Sequence, residues 1–107
     1  MLTKDLHEQG MVAAQNAATA YLNDYPDNWF PCGFASVTAH VKGNSKMGKS
    51  FIAQGFSKSY SGGYTLYNPS RLGTQVMEAK LAGARAYAKL INAELGEGTV
   101  TASSRMD

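Results

Sequence analysis

Residues 32–42 read Cys32-Gly33-Phe34-Ala35-Ser36-Val37-Thr38-Ala39-His40-Val41-Lys42, and their alternation decides the fold. Gly33, Ala35, Val37, Ala39 and Val41 fall on one side, with Phe34, Ser36, Thr38, His40 and Lys42 on the other. A period of two is that of a strand with one covered face. The small residues on the covered side let a helix approach closely. The second side is polar apart from Phe34, and a one-sided sheet leaves such a face open to water, a ligand or a second copy of the chain.

Upstream, Leu6, Ala13, Ala14, Ala17, Ala18, Tyr21, Leu22 and Tyr25 recur at helical spacing from about Lys4 to Asn23. Thr3 stands at the N-cap position, and Asp5 and Glu8 lie near the positive end of the helix dipole. Pro26 stops this helix, and residues 27–31 read as a loop. Downstream, residues 43–63 are rich in Gly, Ser and Lys, and the period of residues 45–54 fits a short helix as well as a strand. Tyr64 to Tyr67 reads as a short strand, and Asn68-Pro69-Ser70-Arg71-Leu72-Gly73 as a turn into a long helix from about Thr74 to Glu94. Gly96 and Gly98 end that helix, and Thr99 to Ser103 alternates again as a closing strand.

The resulting expectation is an α+β domain in the order helix, strand, short irregular or helical segment, strand, helix, strand. A small sheet of about three strands carries two long helices on one face. The late strand-helix-strand unit favours a right-handed crossover, and so either parallel neighbours or parallel strands separated by one other. At 107 residues one core is expected, with residues 1–107 forming a single domain. The single cysteine, Cys32, excludes an intrachain disulfide and reads as a buried structural residue. No run approaches the roughly 20 apolar residues that span a bilayer, so a cytoplasmic protein that does not enter the membrane is expected.

Charge is unevenly laid out. Asp5, Glu8, Asp24 and Asp27 precede a stretch without carboxylates that lasts until Glu78. Within it Lys42, Lys46, Lys49, Lys58 and Arg71 give residues 28–77 a charge of +5, whereas residues 1–27 carry −3. Unopposed cations raise the local potential and make a footprint for phosphate, nucleotide, nucleic acid or an acidic protein face.

Residues 43–50, Gly43 to Ser50, satisfy the phosphate-loop pattern G-x-x-x-x-G-K-[ST]. The context does not support it. The preceding strand alternates polar residues, Gly55 interrupts the following segment, and no carboxylate is at hand for magnesium. His7 and His40 lie far apart and Cys32 is alone, so no metal site or nucleophilic triad is expected. The expectation is a protein that is not an enzyme and uses no cofactor.

Lys80 falls inside the apolar stripe of the second long helix, between Val76 and Ala84. Either it snorkels past the sheet edge, or it converges on an anion with Arg71, Ser70 and the backbone amides of Thr74 and Gln75. Among the aromatics interleaved with the basic stretch, Phe51, Phe56, Tyr60, Tyr64 and Tyr67, a small domain needs most for its core. Tyr60 and Tyr67 are assigned to a binding surface. Lys42, His40 and Arg105 complete the candidate ligand-binding set.

Two resemblances follow. Cys32-Gly33-Phe34-Ala35, Asn68-Pro69-Ser70, Gly73-Thr74-Gln75, the helix from Lys80 to Ala88 and the closing Ser104-Arg105-Met106-Asp107 together resemble small accessory proteins of tailed phages and prophages. That resemblance implies the cytoplasm of an infected host and a protein that binds and neutralises host factors or defence signals. Gly73, Glu78-Ala79-Lys80, Gly83-Ala84 and Ala88 are similar to the final helix of double-stranded-RNA-binding domains, although Val76 and Met77 stand where that family carries a lysine pair.

The leading functional expectation is a non-enzymatic phage-type binding protein that sequesters an anionic small molecule, such as a nucleotide signal, or masks a host defence protein. The alternative is a basic nucleic-acid-binding module. A homodimer is expected to build a site that one small chain cannot enclose.

Overall fold

The computed structural model describes residues 1–25, 32–60, 62–74 and 76–106. The helix stop at Pro26, the loop expected at 27–31, the Gln75 amide and Asp107 lie outside the described residues. These residues form three helices and a four-stranded antiparallel sheet, in the order α1 (Lys4–Asp24), β1 (Gly33–Ala39), α2 (Lys46–Ala53), β2 (Ser57–Lys58), β3 (Tyr64–Tyr67), α3 (Met77–Leu95) and β4 (Val100–Met106).

Two helices start where a hydroxyl caps them, and α3 starts without a side-chain cap. The Thr3 hydroxyl accepts from the Leu6 N–H at the head of α1. Ser45 does the same for α2 by accepting from Gly48 N–H, which resolves the ambiguous segment 45–54 as a helix. Thr74 accepts from the Val76 N–H one residue ahead of α3. The α3 helix begins at Met77, later than its apolar spacing implied, because Val76 is still extended and bridges Cys32.

The strands lie in the order β2-β3-β1-β4, with every neighbouring pair antiparallel. Both β3 and β4 run against β1, so they are parallel to each other and separated by it, as one of the two expected arrangements of the late crossover requires. By the same logic β1 and β2 are parallel across β3. The sheet is therefore two interleaved split β-α-β units, the connectivity of the ferredoxin-like motif. The expectation of about three strands missed β2. Its two residues are exposed and too few to alternate, and only pairing with β3 makes them a strand.

Burial follows the period of two in β1: Gly33, Ala35, Val37 and Ala39 are buried. The α3 helix packs over β1 and β4, and α1 packs along α3. The helix crossing is close because a glycine stands at each contact: a methyl group on Gly83 would meet the Ala14 carbonyl oxygen at 2.9 Å, and one on Gly10 would meet the Tyr87 ring at 2.7 Å. Phe51, Phe56, Tyr87, Ile91, Val37 and Val100 fill the interior between helices and sheet.

Two polar side chains inside the helical layer carry their own explanation. His7 Nδ1 sits 2.7 Å from the Tyr87 hydroxyl, with the Phe56 ring edge-on beside it. Burial lowers the His7 pKa, the Arg71 charge lowers it further, and Glu8 opposes them. The unfolded chain takes up a proton near pH 6.5 that the folded chain resists, so the unfolded state gains stability as pH falls below that value. Folding stability is accordingly fully present above pH 6.5 and declines as pH drops toward the lower folded value. We expect a lower urea midpoint at pH 5.5 than at 7.5, and a smaller pH step in His7→Asn; an equal step in that variant would remove His7 as the cause.

Lys80 is the second. The residue is only 7% exposed, which sets aside the first of its two alternatives, snorkelling past the sheet edge. The reason lies in the ladder. Ala35 C=O accepts from Asn68 N–H, so the Gly33 C=O, two residues earlier, points to the same side, beyond the end of β3. Lys80 Nζ donates to that carbonyl at 2.9 Å, standing in for the strand that has ended. A buried ammonium is thereby given a hydrogen bond rather than left bare.

Candidate functional site

The uncovered face of the sheet holds the candidate site. Register fixes its membership, because directly paired residues share a face. Ser36 pairs with Tyr67 and Thr38 with Thr65 on one side. Phe34 pairs with Arg105, Ser36 with Ser103 and Thr38 with Thr101 on the other. Side chains from three strands therefore form one floor, with Ser57 of β2 paired to Thr65 at its margin.

The floor is hydroxyl-rich and internally bonded. Ser36 and Ser103 hydroxyls lie 3.3 Å apart, Thr38 and Thr65 hydroxyls 3.4 Å, and His40 Nε2 lies 2.8 Å from the Thr101 hydroxyl. Above one end stand Phe34, 46% exposed, and Tyr67, 70% exposed, on adjacent strands and diagonal to each other in the register. The Lys80 ammonium lies 5.4 Å from the Phe34 ring centroid, within cation–π range.

Two hollows follow β1 along this face. One, of about 280 Å³, is bounded by Phe34, Tyr67 and Arg105 over Ser36, Thr65 and Ser103. The other, of about 440 Å³, is bounded by His40, Lys42, Gly63 and Thr101. Thr38 borders both, so the two hollows adjoin along β1, and together they are the trough. From Phe34 to His40 it runs about 20 Å at the usual rise of a strand. Arg105 and Lys42 mark its two ends, and none of the four strands contains an Asp or Glu.

The expected ligand-binding residues divide into two groups. His40, Lys42, Tyr67 and Arg105 come together along the trough. Tyr60 is fully exposed beside Lys58 and Ser59, close to the trough's β2 margin. Lys80, Ser70, Thr74 and Arg71 are placed otherwise. Lys80 serves the Gly33 carbonyl, the buried Ser70 hydroxyl donates to Asn68 Oδ1 at 2.9 Å, and the Thr74 hydroxyl accepts from Val76 N–H. Arg71, at a left-handed φ of 56°, lies where its charge acts on His7, on the helical side of the sheet. Lys80, Ser70 and Thr74 are thus each engaged with a different protein group.

Phe34, Ser36, Thr65 and Ser103 were not in the expected set, although the alternation of β1 already turns Phe34 and Ser36 outward. Thr65 had no such signal, because β3 is too short for a period to be read. Cys32 is exposed, which corrects its reading as buried: it precedes β1 and shares the outward parity of Phe34. The phosphate-loop pattern is spent on structure. Ser50 Oγ donates to the Met47 carbonyl and accepts from Leu2 N–H, while Gly48 is needed because a methyl group there would run into the Lys42 carbonyl. Among the described residues no three His, Cys, Asp or Glu side chains are grouped to hold a metal, and no helix is long and apolar enough to cross a membrane.

No family model, curated protein or solved structure matches the chain.

Proposed function

We propose that this chain is a non-enzymatic binding module whose open sheet face takes a short single strand of nucleic acid. The observation that carries this reading is the pairing of two exposed aromatic rings on adjacent strands, Phe34 and Tyr67, with an arginine beside them, on strands that contain no Asp or Glu. Four-stranded antiparallel sheets with outward aromatics stack two or three bases in this way. Every base has a flat face, so stacking tolerates sequence, while Arg105 and Lys42 meet backbone phosphates at either end. The hydroxyl floor supplies donors and acceptors for sugar and base edges.

The trough is open along its length, which favours a strand lying across it over a small molecule enclosed by it. The observation favouring a second reading, capture of a free nucleotide, is the hollow of about 280 Å³ between Phe34, Tyr67 and Arg105, near the lower end of small-molecule pockets.

Fluorescence anisotropy with a labelled oligothymidylate and an oligouridylate separates the two. Two phosphate contacts give log K against log salt a slope of about −1.4 for a single strand. Arg105→Gln and Lys42→Gln are each expected to reduce that slope by about half. No binding of either oligonucleotide at low salt, together with saturable one-to-one heat from a nucleoside monophosphate, would replace the first reading with the second.

A further inference from the structure

Hydrogen-bond alternation along β1 determines which groups of β4 are left over. His40 N–H donates to the Thr99 carbonyl, so at successive even positions of β1 the backbone groups of Thr101, Ser103 and Arg105 face that strand. Those of Val100, Ala102, Ser104 and Met106 face away. Val100 is closed off by α3: Asn92 Nδ2 donates to its carbonyl at 2.8 Å and Asn92 Oδ1 accepts from its N–H at 2.9 Å. Among the described residues, nothing comparable covers Ala102, Ser104 or Met106.

This edge lacks the usual protections. Its pairing with β1 runs through seven consecutive residues without a bulge, and it contains neither Pro nor Gly. Arg105 is its one charge. The opposite edge, β2, is blunted by being two residues long.

We propose that β4 pairs antiparallel with β4 of a second copy of this chain, about a two-fold axis through Ser104. In that register Ala102 faces Met106 of the second copy, Ser103 faces its Arg105, and Ser104 faces its own equivalent. Self-complementarity selects the occupant. The free donors and acceptors of Ala102, Ser104 and Met106 answer each other, and the Asn92 clamp stops the ladder before Val100. Met106, 63% exposed on the helix side of the strand, finds the half-buried Ala102 as its cross-strand neighbour. No arginine lies directly opposite another.

The consequence for function rests on the proposed reading of the trough. The sheet becomes eight-stranded, both troughs open on the same side, and the two Arg105 side chains sit diagonally across the seam, about 7–8 Å apart at the backbone. Each copy thus contributes an arginine to a shared phosphate position, and a polyanion crossing the seam favours the dimer by relieving their repulsion.

Light scattering on the full chain, with and without oligothymidylate, tests the pairing. The parent is expected to have dimeric mass, strengthened by the oligonucleotide. Ala102→Pro is expected to halve that mass while the chain still melts cooperatively, because the N–H it removes is not used within the chain, and its melting temperature is expected to lose the concentration dependence of the parent's. In a Cys32→Ser background, Ser104→Cys is expected to cross-link under mild oxidation and Thr101→Cys is not, since paired Cα atoms about 5.5 Å apart are within disulfide reach. A monomer at high micromolar concentration, with and without oligonucleotide, overturns the interface and leaves the trough's own binding standing. Equal cross-linking by Thr101→Cys overturns the register. A dimer that binds no oligonucleotide keeps the pairing and overturns the reading of the trough.

Discussion

Tyr87→Ala is expected to be the most damaging single change in the chain. The ring is completely buried, lies 5.7 Å from the His7 ring and 6.3 Å from the Phe56 ring, and faces Gly10 where α1 meets α3. Truncating a buried aromatic costs about 3–5 kcal/mol, and a small domain commands only about 5–15 kcal/mol in all. At about 4 °C or more per kcal/mol, the melting temperature should fall by at least about 12 °C. Tyr87→Phe separates volume from polarity. It keeps the ring and leaves His7 Nδ1 without its hydroxyl partner, for a loss of about 1–3 kcal/mol. Urea titrations followed by circular dichroism measure both. A Tyr87→Ala variant within about 1 kcal/mol of the parent would show that the helix crossing does not depend on this ring.

The largest functional effect is expected from Phe34→Ala combined with Tyr67→Ala. Stacking contributes about 1–3 kcal/mol per base, so losing both rings should weaken oligonucleotide binding by about 30-fold or more. Loss of Tyr67, 70% exposed, should hardly change stability, whereas loss of Phe34, which stands against the Lys80 ammonium, should cost about 1 kcal/mol and leave the domain folded. Anisotropy together with a thermal melt of the same preparation distinguishes loss of binding from loss of fold. Undiminished affinity in a folded double variant would remove the aromatic pair from the site, leaving only a charged surface.

Much of the site was already legible in residues 32–42. Alternation alone put Phe34, Ser36, Thr38 and His40 on one side and left that side uncovered. The same alternation in Thr99–Ser103 marked a closing strand, and its register with β1 then set Thr101 and Ser103 beside them. The cations were another matter. A stretch without carboxylates shows which lysines and arginines are unopposed in sequence, but not where they point. Arg71 went to the helical side of the sheet, and Lys80 went inside to serve a carbonyl whose strand partner had ended. Neither outcome has a local signal, because each depends on where β3 stops relative to β1.

The chain's own pattern of small, apolar and polar residues was enough for the helices, the long first strand and the open face, since those follow from periods of 3.6 and 2 within a single segment. The strand order β2-β3-β1-β4, the two-residue β2, the Lys80 and Asn92 bonds to strand backbone and the meeting of Phe34, Tyr67 and Arg105 were decided only by tertiary structure. The physical reason is that backbone donors and acceptors must be satisfied across segments far apart in sequence. Which side chain fills a vacant ladder position is settled only when the strands have found their neighbours.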